Sequence, residues 1–351
     1  MRTIAIALGC LLLAACDVYL DPTYRRYLAE SLMELADDIP AHDIVMDLAA
    51  SGDRRDHLAA AASSKVIAWD RSGAREPWSI HPPADTRHLS MTGDTLGVVC
   101  AEGRYTVAQA YDLGSRALVG SVETDHTPMG FEFLGDDTTF FLAENDPPVY
   151  RLAAYHRPEG QAVFVLDEQR SKSLDYSMRS MVGCAVRQWL AVTDDLGTIR
   201  VYDFSETPAA EISFRPDGRF QSLAFNADCT RLAALRMDGK LDVFDTAAAA
   251  PASPLATIEV EGIQYGARLA FSPDGELLAV SMSLEGAVGV EQPAFTWIYD
   301  WARAEPIFEA RDGGCVYGLV FEADGRRLAS VNDNHIIKLW DVDLIRADAG
   351  R

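Results

Sequence analysis

The sequence predicts an all-β chain of seven repeated four-stranded antiparallel units, closed into a ring. Three observations carry that prediction. First, an aromatic residue followed by Asp ends an alternating polar and apolar run at Trp69-Asp70, Tyr111-Asp112, Tyr202-Asp203, Phe244-Asp245, Tyr299-Asp300 and Trp340-Asp341, with Tyr155-His156 as a degenerate seventh copy. The copies stand about 41 to 55 residues apart, and a period of that size marks a repeat array before any single element is assigned. Second, turn residues return at fixed places within each unit. Asp274-Gly275, Asp324-Gly325 and Asp228-Cys229 fall between first and second strands, and Asp238-Gly239, Asp195-Leu196-Gly197 and Asp333-Asn334 between second and third. Asp-Gly supplies the left-handed backbone that a tight hairpin needs. Third, the last unit ends at Asp341, after its third strand, while an unassigned apolar stretch at residues 30–35 precedes the first unit.

In chain order, unit one places strands at residues 45–48, 58–63, 66–70 and 77–81. Unit two covers residues 87–123 around Leu96-Gly97-Val98-Val99-Cys100. Unit three covers 129–167, with 139–142, 150–156 and 162–166 as its later strands. Units four, five and six cover 178–214, 220–260 and 265–310, and unit seven opens at Cys315. Short apolar runs separated by turn signals every 8 to 12 positions are the all-β pattern. Unit seven lacks a fourth strand, and an open edge would be a template for aggregation. Residues 30–35 therefore pair with the 336–340 strand and complete that unit. Their Leu, Met and Glu also suit a helix, but a closed array has no free edge, which favours the strand.

These units resemble the WD-repeat β-propellers, and the resemblance covers nearly everything after about residue 30. It implies a seven-bladed propeller spanning 30–345, with 346–351 as a tail. The Gly-His pair that precedes the first strand in that family is absent, as is its full His-Asp network, and unit three has lost the aromatic-Asp pair.

The composition narrows the function. The 351 residues are 48% hydrophobic, as a globular chain requires, with a formal charge of −22. A surface that acidic argues against nucleic acid, whose phosphates need a basic footprint, and against electrostatic docking to anionic lipid. At the front, Met1-Arg2-Thr3 is followed by the ten mostly apolar residues Ile4 to Leu13, the last of which opens Leu13-Ala14-Ala15-Cys16. A basic start, a short apolar middle and small residues before a cut form an export signal, and the apolar run is too short to span a bilayer. Leu-Ala-Ala-Cys resembles a bacterial lipobox. That resemblance implies removal of residues 1–15, lipid on Cys16, a tether over 16–29, and a protein held at a membrane facing the periplasm or the cell exterior. Asp17 resembles an inner-membrane retention signal.

Chemistry-bearing residues are sparse. With Cys10 in the signal and Cys16 lipidated, Cys100, Cys184, Cys229 and Cys315 remain. None makes a Cys-x-x-Cys spacing, and Cys184 and Cys229, near equivalent turns of neighbouring units, are the likeliest pair if any is bridged. His81, His88 and His126 fall in or beside links between units and read as loop histidines, so no metal is expected. Arg87, Arg179 and Arg268 fall near the start of innermost strands, which border the central channel in propellers, and clustered guanidiniums there would bind an anion. No nucleophile elbow or glycine-rich phosphate loop occurs. The hairpin insertion at residues 284–293 is the leading candidate for a partner contact, and the Ala- and Pro-rich 246–254 stretch reads as a plain loop. The leading expectation is a non-catalytic, cofactor-free scaffold for a protein partner. The alternatives are a propeller enzyme of the envelope, lactonase-like or quinone-cofactor dehydrogenase-like, and a sensor of a small anionic ligand at the channel.

Overall fold

The computed structural model describes residues 25–32, 45–50, 57–71, 76–134, 139–146, 149–156, 161–169, 178–194, 196–205, 210–247, 253–260, 265–283, 293–313, 316–332 and 337–350. A 3-10 turn at Arg25–Tyr27 leads into β1 (Leu28–Leu32). Blade one then holds β2 (Val45–Ala50), β3 (His57–Ala62), β4 (Val66–Asp70) and β5 (Trp78–Ile80). Blade two holds β6 (Asp85–Thr92), β7 (Thr95–Glu102), β8 (Tyr105–Asp112) and β9 (Ala117–Thr124). Blade three holds β10 (Thr127–Phe133), β11 (Thr139–Asp146), β12 (Val149–His156) and β13 (Gln161–Gln169). Blade four holds β14 (Met178–Cys184), β15 (Trp189–Asp194), β16 (Ile199–Asp203) and β17 (Ala210–Phe214). Blade five holds β18 (Phe220–Phe225), β19 (Arg231–Arg236), β20 (Lys240–Asp245) and β21 (Ala256–Glu259). Blade six holds β22 (Tyr265–Phe271), β23 (Leu277–Ser283), β24 (Pro293–Asp300) and β25 (Glu305–Gly313). Blade seven holds β26 (Val316–Phe321), β27 (Arg327–Asn332) and β28 (Ile337–Asp341), and helix α1 (Val342–Asp348) follows.

Each of the seven sheets has four antiparallel strands in chain order, except the last, whose order is β1-β28-β27-β26. The ring closes as the missing edge requires. Leu28 faces Trp340, Glu30 faces Leu339, Ser31 faces Lys338 and Leu32 faces Ile337. The closing strand starts two residues earlier than the sequence suggests, and Met33 to Leu35 lie outside the described residues. Asp341 does not end the fold. Its carboxylate accepts the Leu344 N–H at 2.9 Å and caps α1, whose Val342 and Ile345 are buried against Trp340 and Phe308. The stretch expected as a tail from residue 346 is thus the end of a packed helix. Tyr27 donates to Asp348 at 2.9 Å, so the two chain ends also meet through side chains.

The core runs as seven apolar seams, one between each pair of neighbouring blades. Blades are covered on both faces, so inner strands read as continuous apolar runs such as Leu58–Ala62, every residue of which is 0% exposed. The aromatic-Asp pairs have two jobs. Trp69, Tyr202, Phe244, Tyr299 and Trp340 fill the seams. The Asp that follows turns the chain toward the fourth strand: Asp203 accepts from the Ser205 N–H at 2.9 Å, Asp245 from the Ala247 N–H at 3.0 Å and Asp300 from the Arg303 N–H at 3.0 Å. Blade three lacks this Asp but keeps the seam. Tyr155 stacks on Phe140, which packs against Phe131 and Phe133.

The described turns between first and second strands in blades five, six and seven each hold one left-handed residue. Gly275 and Gly325 supply it with φ of 73° and 71°, and Cys229 takes the same position with φ of 58°. Such backbone is unfavourable for a residue with a Cβ. Cys229 is held there by a disulfide to Cys184, at the end of β14 in the preceding blade, with Cα atoms 6.1 Å apart. Of the remaining cysteines, Cys100 is free and buried, and Cys315 lies outside the described residues.

Candidate functional site

The seven first strands β2, β6, β10, β14, β18, β22 and β26 touch one another in sequence, with β26 returning to β2. They enclose a central cavity of about 460 Å³ to which every one of them contributes lining residues. All seven carry a bulge of one residue near their start, between Val45 and Asp47, Thr86 and His88, Pro128 and Gly130, Met178 and Ser180, Phe220 and Ser222, Tyr265 and Arg268, and Val316 and Gly318. Because side chains alternate along a strand, an extra residue moves every later side chain to the other face. The residue just past the bulge lines the cavity in six of the seven strands, as Asp47, His88, Gly130, Ser180, Ser222 and Arg268, and the extra residues Met129 and Gln221 line it as well.

Part of this polar lining ties blade to blade. Asp47 accepts the N–H of Leu89 at 3.0 Å from the next blade and that of its neighbour Leu48 at 2.9 Å. Ser90 donates to Glu132 at 2.9 Å and accepts from the Phe133 N–H at 3.4 Å. Ser180 accepts from the Leu223 N–H at 3.1 Å. At Gly318 the seam with blade one is so close that a Cβ would lie 2.8 Å from that of Leu48 and 2.9 Å from its backbone nitrogen.

The titratable lining is displaced from its solution chemistry by burial. Burial pushes the Asp47 carboxyl up to about 6, against the opposing pull of the Arg268 guanidinium and two backbone N–H groups. Glu132 is pushed up to about 8 by burial and, less strongly, by the charge of Asp47, while the Ser90 hydroxyl works the other way. Burial also holds His88 down at about 4, with Arg268 and Arg87 adding their repulsion. At neutral pH the described lining therefore holds the Arg268 guanidinium, a largely ionised Asp47, a protonated Glu132 and a neutral His88 imidazole. Such a set can offer several hydrogen-bond donors and one cation at little net charge.

Of the three arginines singled out from the sequence, Arg268 is among the described residues that line the cavity and Arg87 is not. Arg87 is the extra residue of its bulge; its guanidinium stands 3.7 Å from Asp85 and its side chain is 43% exposed. Arg179 is likewise the bulge residue of β14, and its side chain lies outside the described residues. The three do not occupy equivalent positions. Of the histidines, His88 lines the channel, His81 is exposed and His126 lies 3.7 Å from Asp125. The six tryptophans pack in the seams between blades, none among the cavity-lining residues. Asp47, Glu132 and Gln221 have no signal in the sequence: they stand one past, three past and at the extra residue of their bulges, and nothing local marks where those bulges fall. Residues 284–292 of the unit-six insertion lie outside the described residues.

Residues 305–341, which comprise β25 and the three strands of blade seven's own run, match the family WD domain, G-beta repeat. No curated protein matches the chain. Seven four-stranded blades in a closed ring make this chain a seven-bladed β-propeller, and its last blade is similar to that repeat.

Proposed function

We propose that the protein is a lipid-anchored, envelope-facing propeller that holds a protein partner close to a membrane and performs no catalysis of its own. The observation that carries the reading is the closed seven-bladed ring with a WD repeat in its final blade. A ring of that kind is a rigid platform with loops at both faces, and rigid platforms with many loops suit recognition. Two further features support the placement. Residues 1–15 have the layout of an export signal ending at Cys16. The Cys184–Cys229 disulfide is of a kind that persists in oxidising compartments outside the bacterial cytosol.

Lipid on Cys16 would moor the ring tightly. Each buried acyl CH₂ contributes about 0.8 kcal/mol, so several chains together hold a protein durably. The first described residue is Arg25, so the intervening residues can span at most about 27 Å. The ring would ride close to the bilayer, with Asp17 favouring the inner membrane. Metabolic labelling with a fatty acid is expected to mark the protein at Cys16 and to vanish in Cys16→Ser; an unlabelled wild-type protein would remove the anchor from the reading. Photo-crosslinking in intact envelopes, from a reactive residue at the 74% exposed Val186 and at other exposed turns, is expected to give a discrete adduct. A protein that gives no adduct from any of these turns yet turns over a substrate would overturn the scaffold role in favour of the enzyme.

A further inference from the structure

Three polar side chains of the channel are left over once the blade-to-blade ties are assigned. Arg268, past the bulge of β22, makes a single hydrogen bond among the described residues, from its guanidinium to the carbonyl of its own neighbour Ala267 at 3.5 Å, and no ion pair. The amide nitrogen of Gln221 on β18 is buried without a hydrogen-bond partner. The imidazole of His88 on β6 makes no hydrogen bond among the described residues. All three are donors, all three line the one cavity, and they come from three different blades. A half-buried guanidinium with one long local contact and a buried amide nitrogen without a partner are costly to keep, and neither contact ties one blade to another.

We propose that the central channel is a binding site for a small organic monocarboxylate that also carries a hydroxyl or ammonium group. Its carboxylate sits on the Arg268 guanidinium, with the Gln221 amide and the His88 N–H as further donors. Its hydroxyl or ammonium group points to the Asp47 carboxylate. The charge of the site selects this class. Among the described residues one guanidinium faces one carboxylate that is close enough for each to act on the other, and a dianion on Arg268 would be repelled by Asp47 more strongly than a monocarboxylate. The cavity, about 460 Å³, is of the size that takes small molecules. Its walls alternate these polar groups with Leu48, Leu89, Met181 and Leu223, which would cover a short carbon chain. The site does not depend on the scaffold role and would operate alongside it.

The test is thermal unfolding of the purified protein at constant ionic strength with L-lactate, L-serine, ethanolamine or inorganic phosphate as probe, each in large excess. Lactate or serine is expected to raise Tm by about 2 °C or more, since a ligand that binds only the folded state stabilises it by mass action. Arg268→Gln and, separately, Gln221→Leu should abolish or sharply reduce that rise, while Arg87→Gln should leave it intact. If Arg268→Gln does not melt cooperatively, the Gln221→Leu result decides. No rise with either hydroxy or amino acid, an equal rise with phosphate or ethanolamine, or a rise that survives the channel substitutions would overturn the assignment.

Discussion

Replacing Glu132 by Gln should make the protein more stable, and more so as the pH rises. Glu132 is held by burial at about 8, against an ordinary 4.5. Its folded-state pKa is raised, so its contribution is intact below about pH 4.5 and is lost as pH climbs toward 8, where the unfolded chain has released a proton that the fold still retains. At pH 7 the mismatch spans about 2.5 pH units, which at about 1.36 kcal/mol per unit amounts to about 3 kcal/mol against folding. The Glu132 side chain is only partly buried, and solvent screening discounts the figure to about 2 kcal/mol. Glutamine keeps an acceptor for the Ser90 hydroxyl, now bonded to the Glu132 carboxylate at 2.9 Å, and has no proton to lose. Urea unfolding of both proteins at several pH values between 5 and 8 measures the effect. The gap between variant and wild type should widen by about 2 kcal/mol across that range, in favour of the variant. Parallel curves, or a gap that favours the wild type at pH 8, would show that the Glu132 carboxyl ionises freely and would refute the burial argument.

Other substitutions probe the remaining features. His88 is depressed from 6.5 to about 4, so the fold keeps it neutral and loses stability as pH falls from 6.5 toward 4; His88→Gln should flatten that acid limb, by about 2 kcal/mol in urea titrations. Reducing the Cys184–Cys229 bridge, which closes a loop of 45 residues, or replacing both cysteines with Ser, should cost about 2–4 kcal/mol, read as a lower urea midpoint. Trp340→Ala removes a fully buried ring whose N–H reaches Ser330 at 2.9 Å and should cost about 3–5 kcal/mol. Deleting residues 25–32 strips β28 of its outer partner and leaves it paired only with β27; the shortened chain should run as aggregates in size-exclusion chromatography and lose protease resistance first in blade seven, whereas a monodisperse, resistant product would deny β1 its closing role.

The blade plan was written plainly in the chain because each device in it is local. An aromatic residue fills a seam and the next residue caps a turn, so Trp69-Asp70 or Phe244-Asp245 announces a third strand wherever it stands. Closure was legible for a different reason: seven third strands and only six fourth strands leave one edge to be covered, and the apolar stretch near Leu28–Leu32 was available to cover it. The channel was harder to read. A single extra residue in each first strand decides which side chain faces inward, and nothing in Thr86-Arg87-His88 says where the bulge falls; the arginine was chosen and the histidine faces in. Helix α1 was missed because its seven residues carry only two buried apolar side chains, Val342 and Ile345, too short a pattern to distinguish from an irregular end. The disulfide depended on a contact between turns of separate blades, which spacing along the chain suggests but does not impose.

Putting both termini in one sheet also sets the order in which the molecule can be finished. The chain between Leu32 and Ile337 is a loop of some three hundred residues, and drawing its ends together from a random coil costs about 5 kcal/mol in entropy. Once the six continuous blades have formed and stacked, those ends already lie side by side and most of that cost has been met. Pairing of Leu28–Leu32 with Ile337–Asp341 then comes at little further entropic cost. A chain broken off before Ile337 could build six wedges and would leave Leu28–Leu32 without the strand it pairs with.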